Sequence, residues 1–306
     1  MQELPPLFAG QRVTGRSDWL EWRRGGLGGS DIGAIFGVSP FRGPWDVCLS
    51  KRADTEDNRG NRSTDTGHRL ERVVAEYAAE RLNGELEMAP AFGSPSAGNF
   101  YRVGPKYWMR ASADGALTIP SDLGVYTVGL ECKTAQWPSE LWGADGTDKI
   151  PPIYDLQCRW YMAAFNAPDW IVSVFFKRAD EWRIYRLARD LDREAEIVDF
   201  AGAWWDRHIV QGIEPEIDAS RAAAKALGYL YAAPADDALE VATEAEEARI
   251  REYHDTKQAA ADLTSRAALL GNQIRQDIGA RQGLRFTGGR VKWSRPSNRL
   301  TVRIND

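Results

Sequence analysis

Two side chains of opposite charge, Glu131 and Lys133, lie two positions apart in the segment Leu130–Thr134 (LECKT). Side chains of a β-strand alternate between its faces, so this carboxylate and ammonium are predicted to share one face, with Cys132 on the other. Asp114 lies seventeen residues upstream of Glu131, at the Asp-Gly end of the preceding predicted strand. A hairpin between the two strands would bring Asp114 beside Glu131.

Two carboxylates side by side repel each other unless a positive charge lies between them. A hard divalent cation fits, and Mg²⁺ needs only one or two carboxylates because it keeps several waters. Lys133 could then hold or deprotonate a water, or stabilise charge on a phosphate oxygen. Glu71 could face the same place. The alternatives are a surface ion pair of Glu131 with Lys133 and a solvated helix position for Glu71.

Helices and strands that would position these residues follow from periodicity and turn residues. The predicted elements are a loop at Arg52–Thr66, a helix ending at Leu82, strands at Tyr107–Leu117 and Val125–Thr134, a helix at Tyr154–Phe165, a hairpin of Trp170–Phe176 with Trp182–Leu187, and a helix at Asp192–Gln211. This mixture predicts an α/β core.

The chain changes character near Ala232–Asp237, which is interpreted as a linker between residues 1–232 and 237–306. A long helix is predicted at Val241–Ile278, followed by a short β-like tail at Arg285–Ile304. Between Ile278 and Asn305 there are seven basic residues and no acidic one. The tail is interpreted either as a solvated β surface or as a DNA-tracking or partner-docking appendage.

Composition excludes several classes of protein. The 306 residues carry 39 basic and 44 acidic side chains, a net charge of −5, which argues against a polycationic nucleic-acid wrapper. Three Cys and three His are too few and too scattered for a zinc finger or an iron–sulfur site. No signal peptide, membrane span or disulfide framework is apparent, so a cytoplasmic location is expected.

The pattern Asp-(X)n-Glu-X-Lys resembles the core of PD-(D/E)XK nucleases, and the segments around it make the resemblance more specific. They are similar, in order, to blocks of the YqaJ-type phage recombinases, relatives of lambda exonuclease. The blocks are Gly28–Gly33 with Gly37–Phe41, Gly67–Glu71, Ala111–Gly115, Glu131–Thr134, and Ile150–Pro152 with Gln157–Met162. The resemblance covers about residues 16–215.

The resemblance implies a fold and an activity. The fold would be a restriction-endonuclease-like core over residues 1–232, a small mixed β-sheet flanked by helices, with a helical and β-tailed appendage at 237–306. The activity would be Mg²⁺-dependent 5′→3′ exonuclease action on linear double-stranded DNA, leaving 3′ single-stranded tails for phage-type recombination. The implied partners are double-stranded DNA ends, a single-strand annealing protein and further copies of the chain in a homotrimer, without a membrane.

The resemblance also assigns roles to individual residues. Asp114 and Glu131 would bind one or two Mg²⁺ ions, for which Mn²⁺ would substitute, with help from the backbone carbonyl of Cys132. Glu71 would contact a metal or its waters. Lys133 would orient or activate the attacking water.

Four more residues receive roles from the resemblance. Gln157 would steady Lys133 or the scissile phosphate, although a satisfied polar core residue is an equal alternative. Arg23 and Ser30 would hold the 5′-phosphate of a DNA end, and Ser112 would contact a phosphate. Ser30 or Asp31 could instead be a helix N-cap, which is compatible with phosphate binding.

One departure and two competing functions remain. Lambda exonuclease has a further Asp shortly before the Ser-x-Asp-Gly block, but Tyr101–Lys106 contains no acidic residue here. The competing functions are an endonuclease or structure-specific nuclease, and a DNA-binding or interaction protein with a degenerate nuclease core. Trp137 and Trp142 follow the lysine strand, where an exposed ring could stack on an unpaired base.

Overall fold

The computed structural model describes residues 16–52, 62–89, 100–122, 124–231 and 239–304. They fall into two compact units, Met1–Ala232 and Ala233–Asp306. The predicted linker at Ala232–Asp237 lies outside the described residues. Among the described residues, no helix combines the length and the apolar character needed to cross a bilayer.

A five-stranded mixed sheet organises the first unit. Its strands, in spatial order, are β1 (Glu85–Met88), β4 (Gly115–Ser121), β5 (Gly124–Ala135), β6 (Asp169–Phe176) and β7 (Glu181–Ala188). Only β5 and β6 of this set run parallel, and each other neighbouring pair is antiparallel. A separate two-stranded ribbon pairs β2 (Tyr101–Val103) with β3 (Arg110–Ser112).

Helices cover both faces of the five-stranded sheet. Those of the first unit are α1 (Arg16–Arg24), α2 (Gly29–Ile35), α3 (Pro44–Arg52), α4 (Arg62–Leu82), α5 (Pro152–Phe165), α6 (Leu191–Trp205) and α7 (Arg221–Leu230). On one face, Ala75 and Ala78 of α4 pack against Leu117 and Leu130. The opposite face and the helices α2, α5 and α6 form a larger aromatic core. The predicted α/β class, a small mixed sheet flanked by helices, is confirmed.

Three predicted boundaries are wrong. Tyr107–Leu117 is not one strand, because β3 pairs with β2 while β4 pairs with β5, and the chain changes sheets at Asp114. The loop predicted at Arg52–Thr66 ends earlier, since α4 begins at Arg62 and polar residues are compatible with first helical turns. The helix predicted at Asp192–Gln211 is an α-helix only as far as Trp205, and the chain continues as a π-helical turn over Asp206–Val210.

The second unit consists of a long helix and a small antiparallel sheet. Helix α8 (Glu244–Ile278) begins with a capping box, in which the Thr243 hydroxyl accepts from the Glu246 amide and Glu246 accepts from the Thr243 amide. The sheet has the order β10 (Arg299–Ile304), β9 (Gly289–Ser294), β8 (Gly283–Phe286). The predicted long helix and β tail are thus confirmed within two to three residues.

Candidate active site

Glu131 is held in the interior by neighbours from its own strand and from α5. Its residue is 1% exposed. Oε1 accepts a hydrogen bond of 2.7 Å from Gln157 Nε2 and contacts the ammonium of Lys133. Oε2 is buried and makes no hydrogen bond within the described part of the chain. Glu131 therefore offers one fixed oxygen and one oxygen available to a further ligand.

Strand pairing brings Asp114 to the same place. Gly115 is paired with Leu130 across the β4–β5 hairpin, which sets the preceding residue, Asp114, beside the following residue, Glu131. Asp114 Oδ2 accepts a hydrogen bond of 2.8 Å from the backbone N–H of Cys132. The side chain of Cys132 packs on the opposite, α4-facing side, as the two-residue strand period requires. The hairpin geometry expected from the sequence is therefore present.

The cluster formed by Asp114, Glu131, Glu71 and Lys133 has more acidic than basic side chains. Burial, the nearby charge of Asp114 and, more weakly, that of Glu71 raise the pKa of Glu131, although Lys133 opposes them. Burial alone would favour the neutral amine of Lys133, but Glu131 and Asp114 raise its pKa above the ordinary value. Carboxylates thus outnumber the one ammonium beside them, and a bound cation would stabilise the charged forms.

The donor set fits a metal that keeps part of its water shell. In the ranges that the structure describes, no three His, Cys, Asp or Glu side chains form a complete ligand group. Two carboxylates and a backbone carbonyl are what Mg²⁺ commonly takes from a protein, whereas Zn²⁺ would require Cys or His ligands. The buried, unbonded Glu131 Oε2 is the observation that such an ion would explain.

The remaining predicted residues of this cluster are placed as follows. Gln157 is 8% exposed and donates to both Glu131 Oε1 and, at 3.0 Å, the hydroxyl of Tyr161. Glu71 is half-buried on α4 and contributes to the electrostatic field at both Glu131 and Tyr101. Ser112 hydrogen-bonds Tyr101 and precedes Asp114 by two residues.

A second cluster surrounds the beginning of α2. Arg23 Nη2 donates to Ser30 Oγ at 3.4 Å, so the two residues expected to bind a phosphate are neighbours. Behind them lies Asp31, fully buried, whose Oδ2 caps the helix by accepting from the Gly28 amide at 2.9 Å. The N-cap residue of α2 is therefore Gly28, not Ser30 or Asp31 as the sequence suggested, and Asp31 completes a capping box from the third helical position.

Two cations of this cluster were not found from the sequence. Arg42 Nη1 and Lys51 Nζ each lie 2.7 Å from a carboxylate oxygen of Asp31, and the Lys51 side chain is only 2% exposed. Burial opposes the ionisation of Asp31, but Lys51, Arg42 and Arg23 outweigh it and hold the pKa of Asp31 well below its usual range. Nothing in their spacing indicated these contacts, because Asp31, Arg42 and Lys51 meet only in the folded chain.

Gly29 joins the two clusters. A Cβ atom at this position would lie 2.5 Å from the Tyr161 ring and 3.0 Å from Gln157 Cγ. The absence of a side chain therefore lets the α2 backbone approach the two residues that also border Glu131. The start of α2 and the side chain of Glu131 thus both lie against the same short stretch of α5.

We expect Gly29→Ala to lower the free energy of unfolding by about 1–3 kcal/mol, because the added methyl group would displace Tyr161 or Gln157. Urea unfolding followed by tryptophan fluorescence measures the change. Gly228→Ala is the matched control, since its Cβ would meet nothing within 4 Å in α7 and alanine favours a helix. Equal stability of the two variants would contradict the close approach at Gly29.

The two tryptophans after the lysine strand differ. Trp142 is 8% exposed and packs among Tyr154, Phe176 and Tyr185, so its predicted availability for base stacking is wrong. Three aromatic neighbours from distant segments bury it, which loop composition could not indicate. Trp137 is 56% exposed and keeps a ring face accessible to solvent.

Comparison with known proteins agrees with the family resemblance of the sequence motifs. The family model described as the YqaJ-like viral recombinase domain matches residues 18–167, a segment that contains both clusters. Residues 18–167 therefore match the YqaJ-like viral recombinase domain, and the resemblance noted from the motifs is confirmed.

Individual relatives are distant. The chain is 24% identical over 274 residues to an uncharacterised protein YqaJ of Bacillus subtilis (strain 168), covering 86% of this chain and 78% of that protein. An alkaline exonuclease, LHK-Exo, from Laribacter hongkongensis aligns over 64% of this chain and 93% of its own, with 14% identity and a TM-score of 0.45. A phage-related exonuclease from Haemophilus somnus 129PT aligns over 56% and 82%, with 13% identity and a TM-score of 0.37.

Proposed function

We propose that the first unit is a Mg²⁺-dependent DNA exonuclease acting 5′→3′ on linear duplex ends. The observation that carries this proposal is the juxtaposition of Asp114, Glu131 and Lys133 within a YqaJ-like viral recombinase domain. The 3′ single strand left behind would be the substrate of an annealing protein in recombination, and a homotrimer is the proposed assembly.

Asp114, Glu131 and the carbonyl of Cys132 would hold the ion, with Glu71 facing its waters. When bound, Mg²⁺ would neutralise the phosphodiester and make a bound water more acidic. Gln157 fixes Glu131 Oε1 through its 2.7 Å hydrogen bond and so sets the direction of the free Oε2.

Lys133 would act on the reacting groups directly. Its side chain is 19% exposed, and its ammonium lies 5.0 Å from the centroid of the Tyr154 ring. The neighbouring carboxylates keep it protonated, so it is suited to donate to the attacking water or to a phosphate oxygen rather than to remove a proton.

The Arg23–Ser30 pair would bind the terminal 5′-phosphate, with Ser112 contacting a phosphate nearer the metal. Arg23 is partly exposed, and Ser30 is exposed at the start of α2, where backbone N–H groups also favour an anion. The buried carboxylate of Asp31 forms ion pairs with Arg23, Arg42 and Lys51 and so holds these three side chains in place. This pocket would make the enzyme prefer phosphorylated ends.

We expect Arg23→Gln to remove most of that preference. Digestion of three DNAs of one sequence with Mg²⁺ measures it: linear duplex with 5′-phosphates, linear duplex with 5′-hydroxyls, and a closed circle. The wild type should degrade only linear DNA, the phosphorylated form about tenfold or more faster, since charge-assisted contacts to phosphate are strong. In Arg23→Gln the two linear substrates should be cut at similar rates.

The control is Arg102→Gln, which removes one partly exposed arginine from β2 and should leave the preference intact. Cutting of the circle would instead support an endonuclease. Binding without any cleavage under Mg²⁺ or Mn²⁺ would support a DNA-binding protein with a degenerate core.

A further inference from the structure

The small sheet of the second unit carries a row of three arginines. Arg285 on β8 is paired with Arg290 on β9, and Arg290 is paired with Arg303 on β10. Directly paired residues of antiparallel strands project from the same face, with Cβ atoms about 4.5–5.5 Å apart, and like charges so placed repel. An anion lying across the three strands would relieve this repulsion.

Two more cations extend the row along the same face. Lys292 follows Arg290 by two residues, and Arg299 is paired with Ser294, a further two residues along. The basic face is therefore defined by Arg285, Arg290, Lys292, Arg299 and Arg303. All five are exposed, and within residues 239–304 none lies at ion-pair distance from a carboxylate.

The opposite face of this sheet is apolar, so the two faces differ in character. It carries Leu284, Val291, Trp293 and Leu300, of which Val291 is 6% exposed. Arg295 lies over the Trp293 ring and donates to the carbonyls of Gly279 and Arg281. Arg295 thus makes contacts within the second unit, whereas the five residues of the basic face project together into solvent.

We propose that the basic face binds the phosphate backbone of duplex DNA without reading its sequence. With strands about 4.8 Å apart and alternate residues about 6.8 Å apart, five cations cover roughly 10 by 14 Å. Duplex DNA presents one negative charge per about 1.7 Å of its axis, so several phosphates fall within that area. The choice of DNA as the polyanion rests on the function proposed for the first unit.

A lipid surface fits this face less well. Membrane-bound amphipathic surfaces combine cations with aromatic or large apolar side chains that enter the interface. Besides its cations, the basic face carries only Gly283, Thr301 and Ser294, by the same strand register. Charge without an apolar anchor is typical of backbone contacts to nucleic acid.

The test uses the full chain and a short fluorescent duplex in EDTA, so that binding is measured without cleavage. The variant Arg285→Gln/Arg290→Gln/Arg303→Gln should bind at least tenfold more weakly. The slope of log Kobs against log salt concentration should become shallower by about 2–3, because each phosphate that a cation neutralises adds about 0.9 to its steepness. The single variant Arg290→Gln should change the slope by about 1. It allows the proposal to be tested even if the triple variant does not fold.

The control variant is Arg249→Gln/Lys257→Gln/Arg266→Gln, which removes the same charge from exposed positions of α8. Its slope should stay within about 1 of the wild-type value. Equal losses in the two triple variants would overturn the proposal, because net charge alone would explain them. Loss of binding to phosphatidylserine vesicles with unchanged DNA binding would also overturn it.

A parallel digestion with Mg²⁺ separates this proposal from the one on which it rests. If the wild-type protein binds DNA but never cuts it, and the basic-face variant binds more weakly, the basic-face proposal holds and the exonuclease proposal fails. If cleavage is normal and the salt slope is unchanged in the basic-face variants, the exonuclease proposal holds and the basic-face proposal fails.

Discussion

Replacement of Lys133 by alanine is expected to lower the rate of DNA cleavage by about 100- to 1,000-fold, the loss typical of removing one preorganised charged donor. The ammonium is held against Glu131 and the Lys133 side chain is 19% exposed, so it can reach a water or phosphate on the solvent side. Single-turnover digestion of 5′-phosphorylated linear duplex measures the chemical step. DNA affinity in EDTA should change little, because one cation among many contributes weakly to backbone binding.

Two further variants keep this test decisive. Lys133→Ala leaves the buried Glu131 without its cation and could unfold the chain, so Lys133→Gln, which retains a donor to Glu131, is measured beside it. Lys106→Ala removes an exposed lysine from the same unit and should cleave at the wild-type rate. A folded Lys133→Gln protein with wild-type activity would remove Lys133 from the proposed active site.

The largest expected effect on stability comes from Asp31. Asp31→Asn keeps the shape of the side chain but leaves Lys51, 2% exposed, without the carboxylate that lies 2.7 Å from its ammonium. Removing one partner of a buried ion pair costs about 3–5 kcal/mol, so we expect a loss of that size in urea unfolding. Asp46→Asn removes the more exposed partner of Arg42 and should cost about 1 kcal/mol or less.

The pH dependence of this loss has a definite sign. Because the pKa of Asp31 is lowered on folding, its ionised form stabilises the native state above the unfolded pKa of about 3.9. That contribution is lost as pH falls further towards the folded pKa. The stability difference between wild type and Asp31→Asn should therefore narrow as pH falls below about 4. A difference that grew as pH fell below about 4 would contradict the assignment.

Local pattern was sufficient for the carboxylate cluster. The two-residue period of a strand places Glu131 and Lys133 on one face, and the hairpin of β4 and β5 brings Asp114 to them. Both features depend on residues close in the chain, so no knowledge of long-range packing was needed. The same holds for the long helix α8, whose capping box at Thr243 is a local arrangement.

Contacts between distant segments could not be predicted from the sequence. The α/β class, the family motifs and the residues that face each other across one hairpin could be, since backbone periodicity is local. The contacts of Asp31 with Arg42 and Lys51, the fit of Gly29 against Tyr161 and the burial of Trp142 depend on how helices and loops pack. The row of arginines depends on the register of three strands, because a shift of one residue would send each to the other face.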